Sequence, residues 1–212
     1  MIRILLADDH EVVRRGLKQV LAEAIPHAEF GDATDGEEAL RKALTGRWDI
    51  VILDMTLPRK SGLDVLKELR QAGQEPRVLI LSMHPEEQFA VRALKAGAAG
   101  YLTKKAAARD LVTAVQKVLS GGTYVSSSLA ERLAAAVATR AGVADPPHAA
   151  LSDREYQVFR MLALGKTVKE IGEELSLSPQ TVSTHRTHVL EKMQMTHNSE
   201  FTQYAIWNGL LE

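Results

Sequence analysis

Ile50-Val51-Ile52-Leu53-Asp54-Met55-Thr56-Leu57-Pro58 is an apolar run that stops on a carboxylate and passes into a proline-ended turn. A strand buried on both faces reads as a continuous apolar run of this kind, the mark of a parallel sheet. Three more stretches have the same form. Ile4-Leu5-Leu6-Ala7 stops on Asp8 and Asp9, Val78-Leu79-Ile80-Leu81 on Ser82, and Gly100-Tyr101-Leu102-Thr103 on Lys104. Open α/β sheets bind ligands in the crevice outside the carboxyl ends of their strands. The four endings therefore bring three carboxylates, a hydroxyl and an ammonium toward one cleft.

Working outward, strand patterns at about 2–7, 28–33, 49–53, 77–82 and 99–103 alternate with amphipathic stretches at about 11–25, 36–44, 63–72, 86–96 and 107–120. Such alternation predicts an α/β doubly wound, five-stranded parallel sheet with helices on both faces. In the first helix Val13, Leu17, Val20, Leu21 and Ala24 form the expected core stripe, with Arg14, Arg15 and Lys18 between them. In the fifth helix the stripe is Leu111, Val115, Val118 and Leu119.

The cleft suits phosphoryl transfer. Magnesium takes carboxylate and carbonyl oxygens together with phosphate oxygens, so Asp8, Asp9 and Asp54 can hold it. Asp54 can attack phosphorus to give an aspartyl phosphate, whose charge Lys104 and the metal would neutralise while Ser82 donates a hydrogen bond. Singly these residues have simpler readings, Asp9 or His10 as a helix N-cap and Asp54 as a turn residue. Their joint occurrence, each at a strand end and in this order, singles them out.

The 212 residues predict two domains, and 45% apolar content suffices for two cores. A net charge of -1 names no partner, and the absence of cysteine excludes disulfides and thiolate zinc sites. The N-terminus runs straight into a strand without a signal-like segment, and no stretch approaches 18 apolar residues. The expectation is a cytoplasmic protein with no membrane partner.

After Gly121-Gly122 an Ala-rich segment, Leu129 to Arg140, predicts a connecting helix, and Ala141 to Pro147 breaks it. The expected division is 1–122, a linker over 123–150, and a second domain over 151–212. That last domain reads as four short helices. Ser152 with Glu155 and Thr167 with Glu170 are capping boxes, and Leu151 with Tyr156 can form a hydrophobic staple. Gly165 stops the first helix, and Ser178-Pro179 starts a third that runs to about Met193; the last spans roughly Ser199 to Leu210. Two helices joined by the Ser176-Leu177 turn match a helix-turn-helix. On the second, Val182, Val189 and Met193 face inward, while Ser183, Thr184, Thr187, His188 and Glu191 face a groove, flanked by Arg186 and Lys192. In this domain six Lys and Arg stand against eight Asp and Glu, a formal charge of -2. Nucleic-acid affinity rests on phosphate contacts. The reading therefore needs Lys166, Lys169, Arg186 and Lys192 to line one side, and it predicts modest affinity that depends on dimerisation.

Asp8-Asp9, Leu53 to Pro58, Ser82 and Gly100 to Lys104 resemble the receiver domain of two-component response regulators. The resemblance implies that Asp54 is the phosphoacceptor and that Asp9 and Asp54 ligate Mg2+ with the backbone carbonyl of Thr56, assisted by Asp8. Ser82 and Tyr101 would be the switch pair, Ser82 moving toward the phosphate and Tyr101 turning inward, with Lys104 on the phosphoryl group. Thr56 and His84 stand beside the pocket as tuners of hydrolysis. Leu151 to Glu155, Lys169-Glu170-Ile171, Leu175, Ser178, Thr181-Val182, His185, Lys192-Met193 and Gly209-Leu210-Leu211 resemble the LuxR-type helix-turn-helix. Together the halves resemble a NarL/FixJ-type regulator. This implies a sensor histidine kinase, double-stranded promoter DNA, a homodimer formed on activation and RNA polymerase as partners, and no turnover enzyme. Ser183, Thr184 and Thr187 would face bases, while Lys169, Thr181, His185 and Lys192 would approach phosphates or buttress the helix. The chain departs from the family at Val168, Gln194 and Asn198, where Asn, Gly and Arg are common. Two other readings are a dehalogenase-fold phosphatase, which needs an acid where Thr56 stands, and a C-terminal protein-interaction module. His185 and His188 lack a third ligand for a metal site.

Overall fold

The computed structural model describes residues 1–73, 76–83, 86–138 and 146–211. In it five strands lie side by side, the four apolar runs as β1 (Arg3–Ala7), β3 (Ile50–Asp54), β4 (Arg77–Ser82) and β5 (Gly100–Thr103), and the more polar β2 (Glu29–Ala33) at the edge. All neighbours are parallel and the order is β2-β1-β3-β4-β5. Every residue of β3 is buried, as a central strand covered on both faces must be. The winding reverses between β1 and β3. Asp8, just past β1, and Asp54, at the end of β3, therefore border the crevice where open sheets take ligands.

Helices α1 (Glu11–Ala24), α2 (Gly36–Thr45), α3 (Gly62–Gln71), α4 (Glu86–Ala96) and α5 (Lys104–Leu119) alternate with the strands. Two expectations need correction. Leu17 and Leu21 of α1 are buried, but Val20 is 38% exposed. The helix is rolled toward the side bearing Arg14 and Lys18, because Lys18 pairs with Asp32 on β2 and Arg14 donates to the Asp8 carbonyl. Helix α5 begins at Lys104 rather than near residue 107. The Thr103 side chain accepts from the Ala106 amide and caps it, so a polar first turn precedes the apolar stripe. That stripe buries Leu111, Val115 and Val118, joined by Ala107 and Ala114.

Beyond α5 the chain turns back across the sheet edge. Tyr124 forms a short parallel bridge with Gly100 of β5, its amide donating to Ala99 and its carbonyl accepting from Tyr101. The Ser126 amide donates to Glu86 on α4, and α6 (Ser127–Ala138) follows. The predicted breaker at 141–145 lies outside the described residues, as does His84. The chain divides into two units, Met1–Thr139 and Arg140–Glu212. No helix among the described residues is long and apolar enough to cross a membrane.

The second unit holds a 3-10 turn (Pro147–Ala150) and helices α7 (Asp153–Ala163), α8 (Val168–Leu175), α9 (Pro179–Met193) and α10 (Asn198–Trp207). Both predicted capping boxes are present, and Ser178 caps α9 ahead of Pro179. At α10 only the reciprocal half of a box forms, with Glu200 accepting from the His197 amide. The core is built on Tyr156, Phe159, Phe201, Ile171 and Val182, with Phe159 and Phe201 edge to face at 5.5 Å. The α8–α9 turn is tight because Gly172 lets the Leu177 carbonyl approach, to a point where an added Cβ would lie 2.8 Å away. Ser176 takes a left-handed conformation in that turn.

Gln194, the C-cap of α9, is also left-handed, with φ 55 and ψ 42. A side chain there costs roughly 1 kcal/mol, whereas glycine adopts this region freely. Gln194→Gly is expected to stabilise the C-terminal unit by about 0.5–1 kcal/mol in urea unfolding, after the greater chain entropy of unfolded glycine is counted.

Candidate functional site

The strand ends meet as their register requires. Asp8 and Asp54 are 1% and 3% exposed, and the Lys104 ammonium lies between them, 2.7 Å from Asp8 Oδ2 and 2.8 Å from Asp54 Oδ2. The Thr56 amide donates to Asp54 Oδ1 at 3.1 Å. Asp9 is exposed at the mouth. Ser82 is fully buried at the end of β4, its hydroxyl 3.8 Å from Met55 Sδ. Tyr101 is fully buried as well, so its side chain already lies inside and the expected inward turn is not needed to place it there. Gly62 at the start of α3 permits the close return of the loop after β3, since a Cβ there would lie 2.2 Å from the Asp54 carbonyl.

Two neighbours of the pocket carry more of its geometry than the sequence indicated. Arg14 donates to the Asp8 backbone carbonyl at 2.7 Å and fixes the β1–α1 turn. Its register, six residues past Asp8 and inside a helix, gave no signal, because a backbone acceptor leaves no trace in side-chain patterns. His10 is the N-cap residue of α1, yet its side chain makes no capping bond. The imidazole Nδ1 instead lies 2.8 Å from Asp9 Oδ1 and 3.2 Å from Asp8 Oδ1. Ligand atoms of Asp8, Asp9, His10 and Asp54 fall within 4.8 Å of one another.

Electrostatics make the pocket short of positive charge. Burial pushes the Asp54 carboxyl up from 3.8 to about 6, against the pull of the Lys104 ammonium. Burial also works against the charge on Lys104, but Asp54 and Asp8 outweigh it and hold the ammonium above its ordinary value. One cation thus serves two buried carboxylates, with Asp9 alongside. A donor set of carboxylates and nearby carbonyls, with an unmet negative charge, fits a hard divalent ion.

On α9 the inward residues are Val182, Val189 and Met193, as the spacing predicted. The outward hydroxyls are turned onto their own helix: Ser183 donates to Pro179, Thr184 to Gln180 and Thr187 to Ser183. Thr181 belongs to the N-cap, with its amide and hydroxyl on the Ser178 hydroxyl. His185 is half-buried and His188 exposed, its Nδ1 3.5 Å from Glu155. The expected line of cations is mostly engaged within the unit. Lys166 pairs with Glu174, Arg186 donates to Asn198 Oδ1 at 2.7 Å, and Lys192 meets Glu155 Oε2 at 2.6 Å. Lys169, exposed on α8, is the one Lys or Arg among this unit's described residues without a recorded partner.

Glu155 ties α7 to α9. Burial pushes its carboxyl up, but Lys192 and the Ser152 amide together pull harder and hold it below 4.5. Of the two roles open to Lys192, the geometry supports the buttress.

Residues 4–116 match the response regulator receiver domain family, and residues 149–205 match the luxR family of bacterial regulatory proteins. The chain is 35% identical over 210 residues to the response regulator UvrY of Escherichia coli (strain K12), covering 99% of this chain and 96% of UvrY. It is 34% identical over 212 residues to the response regulator GacA of Pseudomonas aeruginosa, covering 100% and 99%. A LuxR-family response regulator from Aurantimonas sp. SI85-9A1 superposes with a TM-score of 0.58 at 36% identity, over 64% of this chain and 97% of that one. RcsB from Salmonella enterica serovar Typhimurium, solved bound to promoter rprA with phosphomimetic BeF3-, shares the fold with a TM-score of 0.63 at 23% identity, over 96% and 97%.

Two measurements test this geometry. Between pH 3.8 and about 6 the folded Asp54 keeps a proton that the unfolded chain has released, so its contribution to stability falls as pH rises through that interval. In metal-free buffer Asp54→Asn should therefore become more stable than the parent across it, by at most about 3 kcal/mol at neutral pH. Lys192→Met should destabilise the C-terminal unit by about 1–2 kcal/mol, since it strips a charged partner from a buried carboxylate. A lysine that served only phosphates would leave unfolding unchanged.

Proposed function

Since the chain belongs to the two-component response regulators that join a receiver to a LuxR-type DNA-binding domain, we propose that Asp54 is its phosphoryl acceptor and the C-terminal unit its DNA reader. The family regulates transcription, and a receiver implies a sensor histidine kinase as phosphodonor. Residues 1–122 are then the acceptor, 123–150 the connection and 151–212 the reader.

The observation that carries this reading is the single Lys104 ammonium between two buried carboxylates. Such a centre lacks positive charge until a cation joins it, and it can neutralise a dianionic phosphoryl group only in the cation's company. Asp9, Asp54 and the Thr56 carbonyl, with Asp8 beside them, would hold Mg2+, which supplies charge neutralisation to the equatorial phosphoryl oxygens. Above about pH 6 Asp54 is ionised and offers a carboxylate oxygen. That oxygen attacks phosphorus while the bond to the donor histidine's nitrogen breaks, the nitrogen keeping the electron pair. Lys104 then passes from Asp54 Oδ2 to the new phosphoryl oxygens, and Ser82 turns its hydroxyl toward them from the neighbouring strand end.

The signal biases a two-state element. With Tyr101 already buried, the moving parts are Ser82 and the β5 edge, which holds the linker through Tyr124. DNA is read by a dimer, because one unit of charge -2 with one unengaged cation among its described residues gathers few phosphate contacts. Ser183, Thr184 and Thr187 meet base edges; Lys169 and the α9 N-terminus with Thr181 meet phosphates; His185, His188 and Arg186 flank them.

The test is recovery of genomic DNA fragments by the purified protein with magnesium and beryllofluoride, without them, and with Asp54→Asn. A discrete, roughly two-fold symmetric site enriched at least tenfold in the first arm alone is the expected result. Equal enrichment in all arms would separate DNA binding from Asp54, and none would point to a protein-interaction role for the C-terminal unit.

A further inference from the structure

We propose that Arg14 and Asp32 are positioning residues for phosphoryl transfer: Asp32 on β2 holds the Arg14 guanidinium against the Asp8 carbonyl, and that hold fixes the peptide that carries Asp9. The inference deepens the reading of Asp54 as phosphoryl acceptor and rests on it. Arg14 reaches back from α1, its Nη1 donating to the Asp8 carbonyl at 2.7 Å. Its side chain is 13% exposed, and Nε lies 3.8 Å from Asp32 Oδ1. That carboxylate oxygen is shielded from water and makes no hydrogen bond, so the guanidinium is the charge it faces. The rest of Asp32 is held separately, with Lys18 donating to Oδ2 at 2.5 Å and Lys42 to the main-chain carbonyl. Aspartate is disfavoured in strands, so its place in β2, level with Leu6 of β1, answers to these three cations rather than to strand propensity.

The peptide unit turns this hold into geometry at the pocket. It is planar, with the Asp8 carbonyl and the Asp9 amide pointing opposite ways, so a pinned carbonyl fixes the plane from which the Asp9 side chain departs. Asp8 is secured without that help, because its Oδ1 accepts from the His10 amide at 2.8 Å and its Oδ2 from Lys104 at 2.7 Å. The Asp9 carboxylate, 32% exposed, has the His10 imidazole as its one recorded side-chain contact among the described residues. Loosening the turn therefore costs Asp9 its aim before it costs Asp8 its place. Arginine suits the task because its planar fork offers donors in two directions, to a carbonyl and to a carboxylate, whereas a lysine ammonium is a point charge without that fork. Two simpler roles differ from this one in what they would change: a staple that only ties α1 to β2, and a cation that only raises the local potential.

Variants of the full-length protein separate the three roles. In metal-free 1H-15N spectra, Arg14→Gln, Arg14→Lys and Asp32→Asn should each shift or broaden the Asp9 amide signal. With phosphoramidate as donor, the same three should raise the Mg2+ concentration for half-maximal phosphorylation of Asp54 about tenfold, and leave the rate at saturating Mg2+ within about twofold of the parent. Arg14→Gln combined with Asp32→Asn should do no more than either alone, since both act through one contact. Lower stability in urea with an unmoved Asp9 signal and Mg2+ response reduces the pair to a staple and overturns the proposal. A parent-like Mg2+ response in Arg14→Lys overturns it in favour of charge alone, and additive losses in the double variant overturn it by uncoupling Asp32 from Arg14. A parent that phosphoramidate does not phosphorylate, or that Asp54→Asn equals, overturns the acceptor reading and this proposal with it.

Discussion

The receiver half depends on one ammonium. Lys104 reaches Asp8 and Asp54 from the first turn of α5, and it can do so only because Thr103 ends a strand and caps a helix in the same step. Shift β5 by one residue against β4 and Lys104 turns to the other face of the sheet, leaving two buried carboxylates without a counter-charge. The register that packs Leu79, Leu81 and Leu102 into the core thus also sets the pocket's electrostatics. Fold stability and site geometry are the same constraint seen from two sides.

Four of the five strands were legible because a strand buried on both faces leaves an uninterrupted apolar run, each ending on a polar or charged residue; β2, with Gly31 and Asp32 inside it and little of it buried, carries no such run. The helices of the C-terminal unit were legible for a different reason: Ser152, Thr167 and Ser178 announce their starts through short-range capping. What stayed hidden was set by tertiary partners. Periodicity placed Val20 in the core, but Arg14 and Lys18 roll α1 toward Asp32 and Asp8. The start of α5 was missed because Lys104 and Lys105 are polar and the cap lies in the preceding strand. Spacing alone could line up Lys166, Arg186 and Lys192 but could not tell that Glu174, Asn198 and Glu155 engage them. The inward and outward faces of α9 were placed correctly, while the state of the outward hydroxyls, folded back onto α9, follows from helix geometry that only coordinates record.

The C-terminal unit spends its charges on itself. Glu155 links a helix start to α9 through Lys192, and Arg154 joins Gln157 to the Leu175 carbonyl at the end of α8. Such pairs fix the angle at which α9 is presented, at the expense of cations that could attract DNA from a distance. The orientation of α9 against α7 is accordingly well defined.

The short bridge at Tyr124 has a further meaning. β5 is the outer strand of its sheet, and a bare outer strand is a template on which any extended chain can lay itself. The protein covers that rim with its own backbone, at the cost of tethering the start of its linker there through two main-chain bonds. Freedom of the linker and protection of the rim therefore trade against each other, and no state of this molecule has both in full.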